Sequence, residues 1–259
     1  MQTGQSTISP AIFQDIVPRK LETSTGPCDL PILYRDGSML AVGYRVNLDL
    51  VRSQLTDIPL EPMALFGKAL VTLAVFEYRD TTIGPYNEVG LSVYVKRVGT
   101  SPSQLQVLRK TRTVENVGMH VFNLPVTTEN ACAAGIDLWG YPKYVSEIQA
   151  SFQPERSEAR LGQEFSIVHE RRSLAFQTKG IPLITYSIHQ GRFLRTIVEV
   201  DHRIRVDRGN KVQLKRLGDG PTARTIEALG LDMMRPSFAF RTDALRTLLP
   251  TGVDMGAVS

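Results

Sequence analysis

A lysine at the start of a predicted strand is the residue whose type and setting first suggest chemistry. The stretch "WGYPK" at 139–143 places Lys143 directly after a proline, in a segment with few charges. A lysine amine attacks a carbonyl carbon only in its neutral form. With a reference pKa of about 10.4, only about one amine in a few thousand is neutral at pH 7. Because burial disfavours the ammonium form and lowers the pKa, what Lys143 can do depends on the element that positions it.

The strand that carries Lys143 has two different faces. If residues 143–152 are extended, successive side chains point to opposite faces, so Lys143 lies on a mixed polar face and Tyr144 on the other. In residues 86–95, Glu88 likewise lies on a mixed face, opposite an apolar one. Such polar faces are exposed in an open sandwich, whereas in a barrel too wide to be filled they line an internal cavity. The pattern therefore leaves two alternatives for Lys143 and Glu88: exposed strand residues, or residues that line a cavity.

Short strand-like runs dominate the chain. The clearest runs before Lys143 are residues 38–46, 68–78, 86–98 and 115–126, and further short runs recur after it. Helix signals follow the possible cap Asn47, the threonines at 127–128 and the turn "LGDGP" that begins at 217. Many short strands with few helices favour a single mainly β domain, a barrel or a sandwich, over βαβ units.

Composition and charge exclude several classes of function. The 259 residues are 42% hydrophobic and carry a net charge of +4 on scattered basic residues, so nucleic acid is not an expected partner. The two cysteines and four histidines show no metal-ligand spacing, and we expect no metal. Residues 1–30 show no apolar core of a signal peptide, and no apolar run approaches the roughly 18 residues of a membrane span. We expect a soluble cytoplasmic protein without a membrane partner, with an extended N-terminal arm at 1–30 and one domain at 31–259.

The residues around Lys143 resemble the acetoacetate decarboxylase family. That family carries a segment E-x-A-x-x-x-G-R-E-x-x-x-Y/F-P-K-K whose first lysine forms a Schiff base, and the match runs from Glu129 through Gly135 to Lys143. "YRVNLDLVRSQL", "PYNEVG" and "GDGPTARTIEAL" resemble further family segments, and the family's active-site glutamate falls on Glu88. The resemblance covers roughly residues 30–250. It implies a closed or nearly closed antiparallel β-barrel with an internal active-site cavity and a few peripheral helices.

Several positions depart from the family pattern. The second lysine of the pair is Tyr144, and the arginine-glutamate pair after the glycine is Ile136-Asp137. An acidic residue that the family carries on the preceding strand falls near Leu73. The family's N-terminal active-site arginine falls on Arg35 only if extra residues are allowed in the following loop. An exposed turn arginine is the alternative for that position.

Activation of the lysine does not require the missing second lysine. Desolvation or a cationic neighbour activates the lysine in acetoacetate decarboxylase itself. Because side chains at 143 and 144 of an extended chain point to opposite faces, a second lysine would point away from Lys143. We therefore expect desolvation to dominate, and Tyr144 need not abolish the imine chemistry.

The resemblance also implies roles for four other residues. Glu88 would be the acid–base or polar partner of the lysine, and Arg35 would bind a substrate carboxylate through its planar guanidinium. Trp139 and Tyr141 would form the apolar wall of the substrate site, although ordinary core packing is the alternative for both aromatic residues.

The activity implied is that of a carbon–carbon lyase that needs no cofactor and acts on a small keto acid. Two reactions are open: decarboxylation of a β-keto acid such as acetoacetate, and aldolase–dehydratase chemistry on pyruvate-like keto acids. A non-catalytic barrel that binds a small carbonyl or lipid-like ligand is the alternative class. Members of the family are usually homo-oligomers, and we expect one here on that ground.

Overall fold

The computed structural model describes residues 11–56, 58–104, 116–170, 176–179, 181–201 and 203–258. The strands in these ranges are β1 (Arg19–Thr23), β2 (Gly26–Leu30), β3 (Ile32–Val46), β4 (Leu60–Pro62), β5 (Ala64–Leu65), β6 (Lys68–Thr81), β7 (Tyr86–Arg97), β8 (Val117–Val126), β9 (Lys143–Val145), β10 (Ile148–Gln153), β11 (Arg156–Leu161), β12 (Phe165–Glu170), β13 (Phe176–Lys179), β14 (Leu183–His189), β15 (Arg192–Asp201), β16 (Arg203–Arg208), β17 (Val212–Arg216), β18 (Phe238–Thr242), β19 (Arg246–Leu249) and β20 (Val253–Ala257). The α-helices there are α1 (Leu48–Arg52), α2 (Glu129–Trp139) and α3 (Pro221–Ala228), and 3₁₀ turns occur at Ala11–Phe13, Gly209–Lys211 and Leu231–Met233. The mainly β fold predicted from the sequence is confirmed.

Seven of the described strands close into a barrel. In the order β3, β19, β15, β14, β8, β7, β6, each strand hydrogen-bonds to the next, and β6 returns to β3. The closing β3–β6 pair is long: its register runs from Tyr34 opposite Thr81 to Val46 opposite Ala69. The closed barrel that the resemblance implied is therefore confirmed.

The expectation of a wholly antiparallel barrel is wrong. Strand β8 is antiparallel to β7 along one edge, but its other edge pairs in parallel with β14 at Met119 and with β9 at Leu124. The reason is the connection after β8: helix α2 carries the chain back along the strand, so β9 starts again in the same direction. Parallel neighbours need such a crossover, whereas a tight turn can only join antiparallel strands.

Strand β7 shows the two chemically different faces predicted for residues 86–95. One face carries a fully buried aliphatic row of Val89, Leu91, Val93 and Val95. This row belongs to a large core shared with Ile148, Leu161, Phe165 and Ile167 of a second, four-stranded sheet, β10-β11-β12-β17. The opposite face carries Tyr86 and Glu88. Tyr86 belongs to a separate, aromatic-rich cluster that includes residues of helix α2.

Residues 19–30, part of the predicted extended arm, form a β-hairpin. Its strands β1 and β2 pair from Arg19 opposite Leu30 to Thr23 opposite Gly26. The turn of the hairpin contacts helix α2, since the backbone N–H of Ser24 donates to the Asp137 carboxylate at 2.7 Å.

No helix among the described residues is long and apolar enough to cross a membrane. Nor do the same residues contain a group of three or more His, Cys, Asp or Glu side chains arranged to hold a metal ion.

Candidate active site

Strands β7 and β9 bring Glu88 and Lys143 into direct contact. The Lys143 ammonium Nζ donates to Oε2 of Glu88 at 2.7 Å, and the two side chains are only 10% and 6% exposed. Removing two charges from water is costly, and close pairing offsets that cost. The pair therefore places an amine beside a carboxylate that can accept or return its proton without any rearrangement of the chain.

Lys143 owes its position to the pairing of β9 with β8 and to a glycine. Lys143 lies beside Leu124 in the parallel register, and the N–H of Leu124 donates to the carbonyl of Pro142 at 3.1 Å. On the other side, helix α2 presents Gly135 to the lysine stem, and a Cβ there would lie 2.3 Å from Cδ of Lys143. A larger residue at 135 would therefore displace the lysine, which explains a glycine in the helix interior despite its cost there.

A capping residue defines each end of helix α2, and the threonine at its start was predicted from the sequence. At the start, the Thr128 hydroxyl accepts from the N–H of Ala131 at 3.4 Å, which confirms the threonine cap. At the end, Gly140 has φ 65°, in the left-handed region that glycine adopts easily. A Cβ at Gly140 would also lie 2.2 Å from the backbone oxygen of Ile188. The helix thus ends at a glycine whose backbone conformation lets the chain change direction and enter β9 at Lys143.

Three buried tyrosines, Tyr34, Tyr78 and Tyr86, surround the lysine–glutamate pair. The hydroxyls of Tyr34 and Tyr86 are hydrogen-bonded at 3.0 Å, and the Tyr78 ring lies 4.5 and 4.9 Å from the rings of Tyr34 and Tyr86. Nζ of Lys143 is 5.6 Å from the centre of the Tyr86 ring. Burial is the main cause that raises the pKa of all three phenols, and the Glu88 carboxylate raises each further. The three hydroxyls therefore stay protonated as neutral hydrogen-bond donors, and that of Tyr78 is hydrogen-bonded to Glu88.

Tyr141 and Trp139, the predicted wall residues, are both buried in the cluster beside the pair. The Tyr141 hydroxyl is hydrogen-bonded to Oγ1 of Thr185 at 2.7 Å. Burial raises the Tyr141 pKa to about 12. The Trp139 indole stacks on the Tyr141 ring at 6.0 Å and donates from Nε1 to the carbonyl of Pro250 at 3.0 Å. Because its one polar atom already has a protein partner, Trp139 supports Tyr141 and has no donor left for a ligand.

Arg35 is not brought together with Lys143 and Glu88. Its side chain is 45% exposed and pairs with Asp80 at 3.2 Å. Its neighbour Tyr34 points into the aromatic cluster, so strand alternation turns Arg35 to the other face of β3. This placement matches the exposed arginine that the sequence analysis named as the alternative.

Tyr144 faces away from the pair, as the strand phase predicted. Its hydroxyl donates to Oε1 of Glu164 at 2.9 Å and is hydrogen-bonded to Oγ1 of Thr222 at 2.7 Å. Both partners lie on the opposite side of β9 from Glu88. Tyr144 therefore does not take the place of a second amine next to Lys143.

Tyr78 was not predicted from the sequence. The acidic residue that the family carries on this strand was sought near Leu73, which lies on the wrong face of β6. The register of β6 and β7 pairs Phe76 with Glu88 and Tyr78 with Tyr86. Leu73 is instead buried with the aliphatic row, on the opposite face of β6. Counting back from Glu88 through the predicted hairpin would have identified Phe76 and Tyr78 as its neighbours.

Comparisons with known proteins agree with this architecture. The structure resembles an acetoacetate decarboxylase from Legionella pneumophila subsp. pneumophila str. Philadelphia 1, with a TM-score of 0.64 at 14% identity over 98% of this chain and 99% of that one. A second acetoacetate decarboxylase structure gives a TM-score of 0.66 at 16% identity over 88% and 90%. The enduracididine biosynthesis enzyme MppR complexed with pyruvate gives 0.63 at 16% identity over 88% and 91%. At these identities the likeness establishes the fold.

The sequence itself gives the family assignment. No curated protein matches the chain significantly. The family model of acetoacetate decarboxylase (ADC) matches residues 16–172, which is more than half of the 259 residues and includes both Glu88 and Lys143. The chain belongs to the acetoacetate decarboxylase family.

Proposed function

We propose that this protein is a lyase in which Lys143 forms a Schiff base with the carbonyl carbon of a small keto acid. The observation that carries the proposal is the 2.7 Å contact between Nζ of Lys143 and Oε2 of Glu88, both shielded from solvent, in a chain of the acetoacetate decarboxylase family.

The proposed chemistry begins with proton transfer from Nζ to the Glu88 carboxylate, which leaves Lys143 neutral. The amine lone pair forms a bond to the carbonyl carbon, and loss of the carbonyl oxygen as water leaves a protonated imine. That imine is an electron sink. If the bond to a β-carboxylate breaks, carbon dioxide leaves and its electron pair becomes an enamine, which takes a proton at carbon before water releases the ketone and regenerates the amine.

Glu88 and the buried tyrosines fit the acid–base part of this sequence. Glu88 would hold the proton taken from Lys143 and return it at a later step, a role that contributes roughly 10²–10⁴-fold in enzymes. Tyr34, Tyr78 and Tyr86 would remain neutral donors next to substrate oxygens, because their pKa values are raised. Preorganised donors of this kind stabilise developing negative charge.

Aldolase–dehydratase chemistry on a pyruvate-like keto acid is the second candidate reaction. It uses the same imine, with proton removal next to the imine carbon instead of loss of carbon dioxide. Two departures from the decarboxylase pattern favour it. Tyr144, at the position of the second lysine, points to Glu164, and the β6 residue opposite Glu88 is Phe76, which is not an acid. MppR, which has the same fold, has been determined in complex with pyruvate.

Borohydride trapping tests the proposal. The protein is incubated with acetoacetate or pyruvate, reduced, digested and analysed by peptide mass. We expect one stable adduct, on Lys143. Lys143→Arg should abolish it, because the guanidinium stays protonated and is no nucleophile. Lys96→Arg is the matched control, since Lys96 also pairs with a glutamate, Glu61, at 2.9 Å, and it should leave trapping unchanged.

Two other outcomes of the trapping experiment would favour a different function. An adduct with pyruvate but no carbon dioxide release from acetoacetate would favour the second reaction. No adduct with either keto acid, together with ligand binding that survives Lys143→Ala, would leave a non-catalytic binding barrel.

A homo-oligomer, expected from the resemblance, and a cytoplasmic location, expected from the sequence composition, belong to the same proposal. Light scattering coupled to size-exclusion chromatography would measure the assembly, and cell fractionation would measure the location. A monomer at micromolar concentration would contradict the first expectation without bearing on the imine chemistry.

A further inference from the structure

The residue after the reactive lysine is held by a second buried carboxylate. Tyr144 donates its hydroxyl proton to Oε1 of Glu164 at 2.9 Å, and Oγ1 of Thr222 lies 2.7 Å from the same hydroxyl. Burial raises the pKa of the Tyr144 phenol, so the hydroxyl remains a donor.

Glu164 is in turn fixed by the first turn of helix α3. Its Oε2 accepts from the backbone N–H groups of Thr222 and Ala223 at 2.8 and 2.9 Å, and the residue is only 7% exposed. A carboxylate in this position is favoured by the helix dipole. The approach is close enough that a Cβ at Gly220 would lie 2.6 Å from Oε2 of Glu164. Hydrogen bonds through Glu164 therefore connect Tyr144 to the first turn of helix α3.

Strand β9 depends on this contact because it is short. It has three residues and pairs with β8 alone among the described strands. Its side chains alternate between the two faces, so Lys143 is bonded to Glu88 on one face and Tyr144 to Glu164 on the other. A buried carboxylate thus holds the strand from each side.

We propose that Tyr144 and Glu164 are positioning residues, which hold β9 from behind and so keep Nζ of Lys143 at bonding distance from Glu88. The proposal rests on the function proposed above. It also accounts for a tyrosine at the position of the family's second lysine, because a hydroxyl or an ammonium at 144 can equally donate to Glu164. Neither residue touches the substrate in this scheme.

The test is a double-mutant cycle read by trapping kinetics. Tyr144→Phe and Tyr144→Lys are made with Glu164 and with Glu164→Gln. The protein is mixed with pyruvate or acetoacetate and quenched with borohydride at successive times, and the rate constant is normalised to the number of sites trapped at the end point. Thermal unfolding of every variant is measured alongside. Tyr44→Phe is the matched control, since Tyr44 is buried and its hydroxyl has no hydrogen-bond partner among the described residues.

Tyr144→Phe should lower the saturating rate constant roughly 10–100-fold, since small misplacements of a reacting group cost about that much, with little change in the half-saturating concentration. Tyr144→Lys should stay close to the original rate with Glu164 and lose it with Glu164→Gln. Tyr44→Phe should leave the rate unchanged.

Two results would overturn the proposal. A Tyr144→Phe variant that unfolds at a lower temperature but keeps the original rate per trapped site would show that the role of Tyr144 is purely structural. Equal rates for Tyr144→Lys with and without the Glu164 carboxylate would likewise end it. If Glu164→Gln does not fold, the Tyr144 variants with Glu164 intact decide alone. An unmodified protein that gives no adduct contradicts the proposed function itself, and that failure is visible before any variant is made.

Discussion

Gly135 of helix α2 lies directly against the side chain of Lys143, with room for a hydrogen but not for a methyl group. Gly135→Ala is therefore predicted to push the lysine away from Glu88 and to lower the trapping rate at least about tenfold. Alanine in a helix interior is otherwise more stable than glycine by roughly 1 kcal/mol. Trapping reactions quenched at successive times would measure the rate, and urea unfolding would measure the free energy of unfolding. The exposed Asn130→Ala in the same helix is the control, and an unchanged rate in Gly135→Ala would contradict the packing argument.

Glu88→Gln should affect both stability and chemistry, because it leaves the buried Lys143 without its anionic partner. Breaking a buried pair by removing one member costs about 3–5 kcal/mol, and loss of a general base costs roughly 10²–10⁴-fold in rate. Urea unfolding and trapping kinetics are the measurements. Adding Lys143→Met to Glu88→Gln should restore part of the stability but none of the trapping. Wild-type stability in Glu88→Gln alone would show that the pair is not shielded as described.

The buried tyrosines predict a loss of stability at alkaline pH. The pKa values of Tyr34, Tyr78 and Tyr86 are raised in the folded protein. Above the unfolded value of about 10, the unfolded chain releases protons that the folded protein keeps, so the free energy of unfolding falls as the pH rises. Below that pH the tyrosines are protonated in both the folded and the unfolded state, so their contribution to the free energy of unfolding is fully present.

Urea unfolding between pH 8 and 11, with tyrosinate absorbance recorded in parallel, would measure this dependence. Tyr78→Phe should make the decline shallower. Ionisation of all eight tyrosines at pH near 10 in a protein that keeps its native circular dichroism would disprove the assignment.

Arg35→Ala is predicted to leave the site intact. The exposed Arg35–Asp80 pair should contribute less than about 1 kcal/mol to stability, and the half-saturating keto acid concentration in the trapping assay should change less than twofold. Asp80→Ala, which breaks the same pair from the other side, is the comparison. A tenfold increase in half-saturation for Arg35→Ala alone would place the guanidinium on the substrate carboxylate after all.

Much of the site could be predicted because it depends on strand phase. Alternation along two strands was enough to put Glu88 on a mixed face, and to separate Lys143 from Tyr144. The same rule, applied to β6, would have placed Phe76 opposite Glu88. The start of helix α2 could also be predicted, because Thr128 caps the first turn of its own helix, whereas the cap at Gly140 was not predicted.

What could not be predicted depends on contacts between segments that are distant in sequence. The tyrosine cluster joins Tyr34 of β3 to Tyr78 and Tyr86 of the β6–β7 hairpin, and only barrel closure brings β3 there. The register between β3 and β6 is irregular near Asp36, so the direction of the Arg35 side chain could not be predicted from strand alternation either. The parallel course of β8 and β9 follows from how helix α2 packs, which the residue pattern of neither strand encodes.

The closure of the barrel has a consequence for how the protein is made. Glu88 and Lys143 lie 55 positions apart, and both are synthesised before the barrel strands β14, β15 and β19. The barrel ring, in contrast, is completed where β19 joins β3, with Leu248 opposite Leu33. Contacts between such distant segments form late and slowly, and domains fold as units during synthesis. The barrel around the aromatic cluster, which Leu245 and Leu249 also contact, can therefore close only when residues 246–249 have been synthesised, well after Glu88 and Lys143.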